Sequence, residues 1–444
     1  MTYSRRTEVL AGISSFLATM YIIVVNPSIL SQTGLPFSGV LTATVLLSFF
    51  GSLMMGLYAR NPIVVAPGMG LNAFFTFTAV KGMGLSPQVA LGAVFWAGIL
   101  FLLLSVGRVR SAIVGLIPVP LRYAVSAGIG LFITLIGFEN ARFIIGNPAT
   151  LVSIASVHDP VVLTFVAGLL LTAILVVRQI PGAIIIGIVL TTLAAWPIGR
   201  WWGDASAINF GRKALVNYNG LFATPDFSLI GQLDLVNSLQ WSLWPVIFAF
   251  VFTDLFDSIS TFVGVAEAGN LYDPLPDNQP ANAPVFRQPR NLNRSLLTDA
   301  VATTLAGVLG TSPGTAYIES AVGIAQGGRT GLVAVVAACL FLPFLFLSPL
   351  LSVIPAIATA PALVLVGAFM MQPITRIRWE QLDDAIPAFL ALVLIPFSYS
   401  ITQGIIWGFL SWTVIKLAVG KRHEVPTGLL VIDAFCLLAL WSGH

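Results

Sequence analysis

The sequence predicts an all-α polytopic membrane protein with fourteen transmembrane segments, arranged as a seven-plus-seven inverted repeat. Three observations carry that expectation. Hydrophobic residues make up 57% of the 444-residue chain and charged residues only 9%, against roughly 25% charged in soluble domains, and the mean hydropathy is +0.94. Apolar stretches approaching the ~20 residues that cross a bilayer recur along the whole chain. Assigning the loops alternately to two sides leaves only Lys81, Arg142, Arg200, Arg212 and Lys213 outside, so sixteen of the 21 basic residues fall on the inner side. That asymmetry is the one the positive-inside rule requires, and it places both termini in the cytoplasm of a cell-membrane protein.

Each span follows from its apolar run. The first seven are expected at 9–30, 39–59, 63–80, 86–107, 122–145, 160–178 and 181–199. The N-terminal MTYSRRTEVLAG has two arginines but no cleavage site after a short apolar core, so the first span reads as retained. The polar, aromatic stretch 200–240 is the join. A second group of seven is expected at 243–268, 295–310, 313–328, 330–350, 352–372, 386–400 and 402–419. A last apolar run, GLLVIDAFCLLALW at 427–440, is short for a span and contains Asp433, so it is expected at the interface or packed on the bundle. Cys339 and Cys436 both lie in apolar stretches and imply no disulfide framework. The net charge of +3 reads as topology rather than as affinity for nucleic acid.

Seven spans per half put the two halves in opposite orientations. In such repeats the binding site forms where interrupted segments of the two halves meet. The third span holds APGMGLNAFF (66–75), and its counterpart in the second half holds GTSPGTAYIESAVGIAQGGRTGL (310–332). Both are broken by Gly and Pro and carry polar residues. Non-helical backbone at that depth must face protein or water.

Carboxylates inside spans are expensive and mark a pathway or a site. The eighth span, FAFVFTDLFDSISTFVGVAEAG, carries Asp254 and Asp257 three residues apart, hence on one helical face. Two such carboxylates would repel if both were ionised, which suits proton coupling. Glu319 follows a turn rich in Gly, Ser and Thr, and Asn72 takes the corresponding place in the third span; each is a site residue or a cap for its half-helix. Gly68 and Gly70 allow a tight turn or a close ligand approach. Glu139 and Asn140 fit a packing or a gating role, and Asp299 is expected to pair with the arginines at 287–294. The three histidines show no metal-ligand spacing, and no nucleophile–base pair or cofactor motif is evident. No enzyme, cofactor or metal site is therefore expected.

Four motifs in order, FLATMYIIVVNP (17–27), APGMGLNAFF, DLFDSISTFVG (254–264) and GTSPGTAYIESAVGIAQGGRTGL, resemble the AzgA-like branch of the nucleobase/ascorbate transporters, known for hypoxanthine, adenine and guanine permeases. The resemblance spans about residues 5–420. It implies a core domain formed by 1–120 and 241–350, and a gate domain formed by 121–240 and 351–444. It further implies import of purine nucleobases by alternating access, with a proton or sodium as coupling ion, and dimerisation through the gate domains. Carried over by motif, Asp257 is the acid that contacts the purine, Asp254 its partner, and Glu319, Gly70 and Asn72 further contacts. Ser320 lies beside Glu319 in the same motif and is counted with the site. Asp254, Asp257 and Glu319 are the candidates for proton coupling. The chemistry agrees: a carboxylate accepts from a purine N–H, an amide both donates and accepts, and Phe74 or Phe252 offers a stacking face. Other substrates on the same fold stay open, namely xanthine or urate, uracil, or a small anion such as bicarbonate or sulfate. Three central carboxylates argue against an anion.

Overall fold

The computed structural model describes residues 4–106, 118–203, 214–216, 220–273 and 289–441. Of the basic residues used above to set the topology, Arg108, Arg110, Arg212, Lys213 and Arg287 lie outside the described residues.

The helices follow the apolar runs, with breaks at Pro, Gly and polar turns. The first run folds as α1 (Arg5–Thr19) and α2 (Ile22–Leu30), and α3 (Phe37–Leu57) follows. The strand β1 (Val65–Pro67) leads into α4 (Met69–Ala73), which continues as a π-helix over Phe74–Gly82. Then come α5 (Pro87–Val106) and α6 (Val119–Asn140). A hairpin of β2 (Ile144–Asn147) and β3 (Leu151–Ile154) precedes α7 (Pro160–Val177) and α8 (Ala183–Ala195). Helix α7 starts sharply because Pro160 fits its first turn and the Asp159 carboxylate accepts from Val161 N at 2.9 Å.

The second half begins with α9 (Trp244–Gly269) and α10 (Leu292–Leu309). Gly310, at φ 92°, turns the chain out of α10. It enters β4 (Gly314–Ala316), a 3-10 turn at Ile318–Ser320 and α11 (Ala321–Ala325). The apolar run 330–350 folds as α12 (Leu332–Phe341), a 3-10 turn at Leu342–Phe346 and α13 (Ser348–Leu351). Pro343 and Pro349 remove the donors a continuous helix would need. The chain ends with α14 (Ala356–Met370), α15 (Leu382–Ser398), α16 (Ile401–Ala418) and α17 (Thr427–Trp441). Among the described residues eight helices are long and apolar enough to cross a membrane, which makes this a multi-pass membrane protein.

The all-α expectation needs correcting, because two short antiparallel strand pairs accompany the helices. One pairs β2 with β3. The other pairs β1 with β4 in the register Val65↔Ala316, Ala66↔Thr315 and Pro67↔Gly314. The second pair has a clear cause: interrupted helices leave backbone donors and acceptors away from water, and the strands satisfy one another.

Around this pair, α1 and α3 pack on α12, while α3 and α5 pack on α10. Helix α9 touches α5, β4 and α11 on one side and α16 on another. Elsewhere α14 packs on α6, α7 and α8, and α15 packs on α6 and α16. The terminal α17 lies against α16, where Thr413 Oγ1 donates to Asp433 at 2.5 Å, so the short apolar run is packed on the bundle. Near the start of α15 and the end of α16, Lys416 Nζ meets Asp383 at 2.7 Å and both Asp384 and Glu424 at 2.6 Å.

Candidate functional site

The paired strands position the site. Hydrogen bonds extend the β1–β4 ladder at both ends, from Gly68 N to Pro313 O and from Tyr317 N to Val64 O, each at 2.9 Å. Side chains clip its edges. Ser52 of α3 accepts from Val65 N and donates to Val65 O, and Ser320 accepts from Val64 N at 2.9 Å. Tyr317 Oη donates to Pro67 O at 2.5 Å. The two interrupted segments are therefore one unit, and Ser320 spends its hydroxyl on holding it.

Behind the strands is a buried polar network. Asn26 Nδ2 donates to Thr44 Oγ1 at 2.7 Å and to Thr311 Oγ1 at 2.8 Å. The Ser312 hydroxyl lies 3.2 Å from Asn26 Oδ1 and donates to Asn72 Oδ1. All five side chains are fully buried. Asn72 thus binds the opposite interrupted segment. Gly70 lies close under α6, where a Cβ would come within 2.6 Å of Ile129 Cγ2.

In front of the strands is a pocket of about 120 Å³. Asp257, Thr261 and Glu319 line one wall, and Tyr123, Ser126 and Phe369 of α6 and α14 stand opposite with Arg376. Thr315 Oγ1 donates to Asp257 Oδ2 at 3.4 Å, and Tyr21 Oη donates to Glu319 Oε1 at 2.7 Å. Each carboxylate keeps acceptor capacity for a ligand.

The structure brings Asp257 and Glu319 together and leaves the other candidates around them. Asp254 is fully buried, turned from the pocket towards α10, where Thr303 Oγ1 donates to its Oδ2 at 2.5 Å. A spacing of three residues still separates side chains by ~60° around a helix, enough to send these two aspartates to different neighbours. Asp299, near the start of α10, is fully buried four residues before Thr303 and interacts with Asp254. Phe74 packs edge-on against Phe250, with centroids 4.6 Å apart, and Phe252 packs between Phe248 and Phe409. Glu139 accepts from Tyr399 Oη at 2.7 Å and so ties α6 to the end of α15.

Tyr21, Tyr123 and Arg376 were missed from the sequence as site residues. Tyr21 had a signal, being a hydroxyl inside the first motif. From the sequence Arg376 reads only as one of the sixteen inner-side charges.

Two interrupted segments joined back to back, with acids in a pocket between packed helices, define a membrane transporter rather than an enzyme. The chain matches the Permease family model (Xan_ur_permease) over residues 6–406 and belongs to that family. It is 41% identical to the adenine permease AdeP of Escherichia coli (strain K12), over 98% of this chain and 92% of that protein. It is 37% identical to the guanine/hypoxanthine permease PbuO of Bacillus subtilis (strain 168), over 99% of this chain and 98% of that protein. Among solved structures, the transmembrane domain of the cyanobacterium bicarbonate transporter BicA superposes with a TM-score of 0.61. That match covers 90% of this chain and 98% of that domain, at 16% identity, and shows a shared fold.

Proposed function

We propose that this permease imports purine nucleobases (adenine, guanine or hypoxanthine) by proton symport and alternating access. The observation that carries the reading is the placement of Asp257 and Glu319 on one wall of a single pocket beside the paired strands. Two acceptors at that site suit the N–H groups of a base and repel an anion. The adenine and guanine/hypoxanthine permeases among its relatives support the same class of substrate. Asp257 and Glu319 contact the base. Asn72, Gly70, Ser320 and Asp254 hold the wall behind it, and Phe74 and Phe252 pack around it. A proton taken up by one of Asp254, Asp257 and Glu319 couples transport to the gradient.

In this reading fourteen spans form a seven-plus-seven inverted repeat with both termini cytoplasmic. The core domain (1–120 and 241–350) carries the paired strands, and the gate domain (121–240 and 351–444) faces it across the pocket. The packing of α14 on α6, α7 and α8 supports that division. Gate domains also form the contact of a homodimer in the surrounding lipid.

The test is uptake of labelled hypoxanthine in competition with adenine, guanine, xanthine, uracil and bicarbonate. Purines should compete; competition by bicarbonate alone overturns the reading. Asp257→Asn and Glu319→Gln should each lower uptake at least about a hundredfold while the protein stays in the membrane, because buried partners are left unmatched. A protonophore should abolish uptake, and persistence on a sodium gradient would make sodium the coupling ion.

A further inference from the structure

Where α3 ends, the fold gathers basic residues from distant parts of the chain. Arg60 follows α3, and Arg290 and Arg294 bracket the start of α10. Arg290 Nη2 donates to Arg60 O at 3.0 Å and to Arg329 O at 2.7 Å, and its Nε donates to Asn61 Oδ1 at 3.4 Å. Those acceptors are neutral, so they fix the guanidinium without cancelling its charge. Arg60 is exposed and has no ion pair among the described residues. Arg294, also exposed, stands 5.8 Å from the Tyr58 ring centroid.

Beside these residues is a cavity of about 560 Å³, at the crossing of α3 and α12. Arg60, Arg290 and Asn291 line its polar part, and Leu57, Leu332 and Val335 its apolar part. No carboxylate is among the described residues that line it. Glu8, which reaches the turn before α12, is buried and already accepts from Arg329 N and Thr330 N at 3.0 Å and from Thr330 Oγ1 at 2.7 Å. Asp273 accepts from Asn291 N at 3.1 Å. The cavity therefore joins guanidinium groups to an apolar wall, and Leu57 on that wall is 63% exposed.

We propose that this cavity binds the headgroup of an anionic phospholipid of the cytoplasmic leaflet. The phosphate lies against Arg60 and Arg290, whose planar forks suit its oxygens. The acyl chains follow Leu57, Leu332 and Val335 along α3 and α12. A soluble anion would satisfy the charged half alone and leave Leu57 uncovered. The charge bias of the sequence assigns Arg60, Arg290 and Arg294 to the inner side, where anionic lipid attracts basic residues at span ends. The site shares no lining residue with the Asp257–Glu319 pocket and does not depend on which substrate is carried.

The experiment follows the melting midpoint of the full chain, purified in neutral detergent, during titration with short-chain phosphatidylglycerol. A ligand that binds only the folded state raises the midpoint with its concentration. Phosphatidylglycerol should give a saturable rise, and phosphatidylcholine at the same concentration should give none. Arg60→Gln should shift the half-saturating concentration about tenfold upward. Arg378→Gln, at another exposed arginine assigned to the inner side, should leave it unchanged. Arg60 has no ion pair to lose, so its variant keeps the fold, and native mass spectrometry of both variants counts the retained lipid directly. Equal responses to the two lipids, or equal losses in the two variants, overturn the site. A rise produced by inorganic phosphate alone and lost in Arg60→Gln makes the ligand a soluble anion and overturns the lipid.

Discussion

Tyr21 holds Glu319 from the turn between α1 and α2, nearly three hundred residues away in sequence, through a single 2.7 Å hydrogen bond. A hydrogen bond to a carboxylate is worth ~1.5–3 kcal/mol, and this one aims an acid that lines the pocket. Tyr21→Phe keeps the ring in its packing beside Tyr317 and removes only the donor. Its KM for the transported base should rise about tenfold, with expression unchanged; an unaltered KM would show that Glu319 is oriented by something else. The acids themselves were legible because a carboxylate in a span is costly enough to stand out. Their supports were not. A tyrosine in a span reads as one more aromatic residue until its partner is known. The split between Asp254 and Asp257 was hidden for the same reason, because helical spacing says which residues are neighbours but not which other helix each one meets.

At the scale of elements, glycine sets how closely α3 and α12 cross. A Cβ on Gly56 would come within 2.5 Å of Gly331 O and 2.7 Å of Val335 Cγ2, and a Cβ on Gly331 would run into the Gly56 carbonyl. Backbone cannot swing away as a side-chain tip can. Gly56→Ala should therefore destabilise the purified protein by ~1–3 kcal/mol, read as a lower melting midpoint in detergent. Gly34→Ala provides no such control because of its positive φ, whereas Gly146 has open space around its Cβ and should tolerate alanine. If both variants melt alike, close packing at the crossing is not what the glycine provides. The places where the chain breaks were readable from Gly and Pro in 66–75 and 310–332. That the breaks would join as β1 and β4 was not, since three-residue strands leave no alternation to detect and Pro67 argues against a strand at all. Burial of the freed backbone groups overrides both signals.

Across the whole molecule the bundle is tied at one end by a charge cluster that links α15, α16 and the 3-10 turn Arg422–Glu424 before α17. Lys416 is 1% exposed and meets three carboxylates, while Lys421 reaches Asp383 from outside at 2.6 Å. Asp383 stands before the apolar part of α15, and its hydrogen bonds to Lys416 and then Lys421 draw its pKa down to about 2. Glu424 is lowered as well, first by its hydrogen bond to Lys416. A carboxylate with a depressed folded-state value contributes stability above its unfolded value of ~4 and loses it as pH falls through the folded value. The wild-type melting midpoint should therefore receive a constant contribution from this cluster from neutral pH down to about pH 5, and lose it progressively below ~4. Lys416→Met inverts the sign. It removes the ammonium that all three carboxylates share, leaving Lys421 on Asp383 and His423 Nε2 3.8 Å from Glu424, at a cost of ~3–5 kcal/mol for a broken buried pair. Protonation relieves that repulsion, so the gap in melting midpoint between variant and wild type should be widest at neutral pH and close towards pH 3. A gap that stays constant across that range would mean that Lys416 acts through packing on Trp412 rather than through charge.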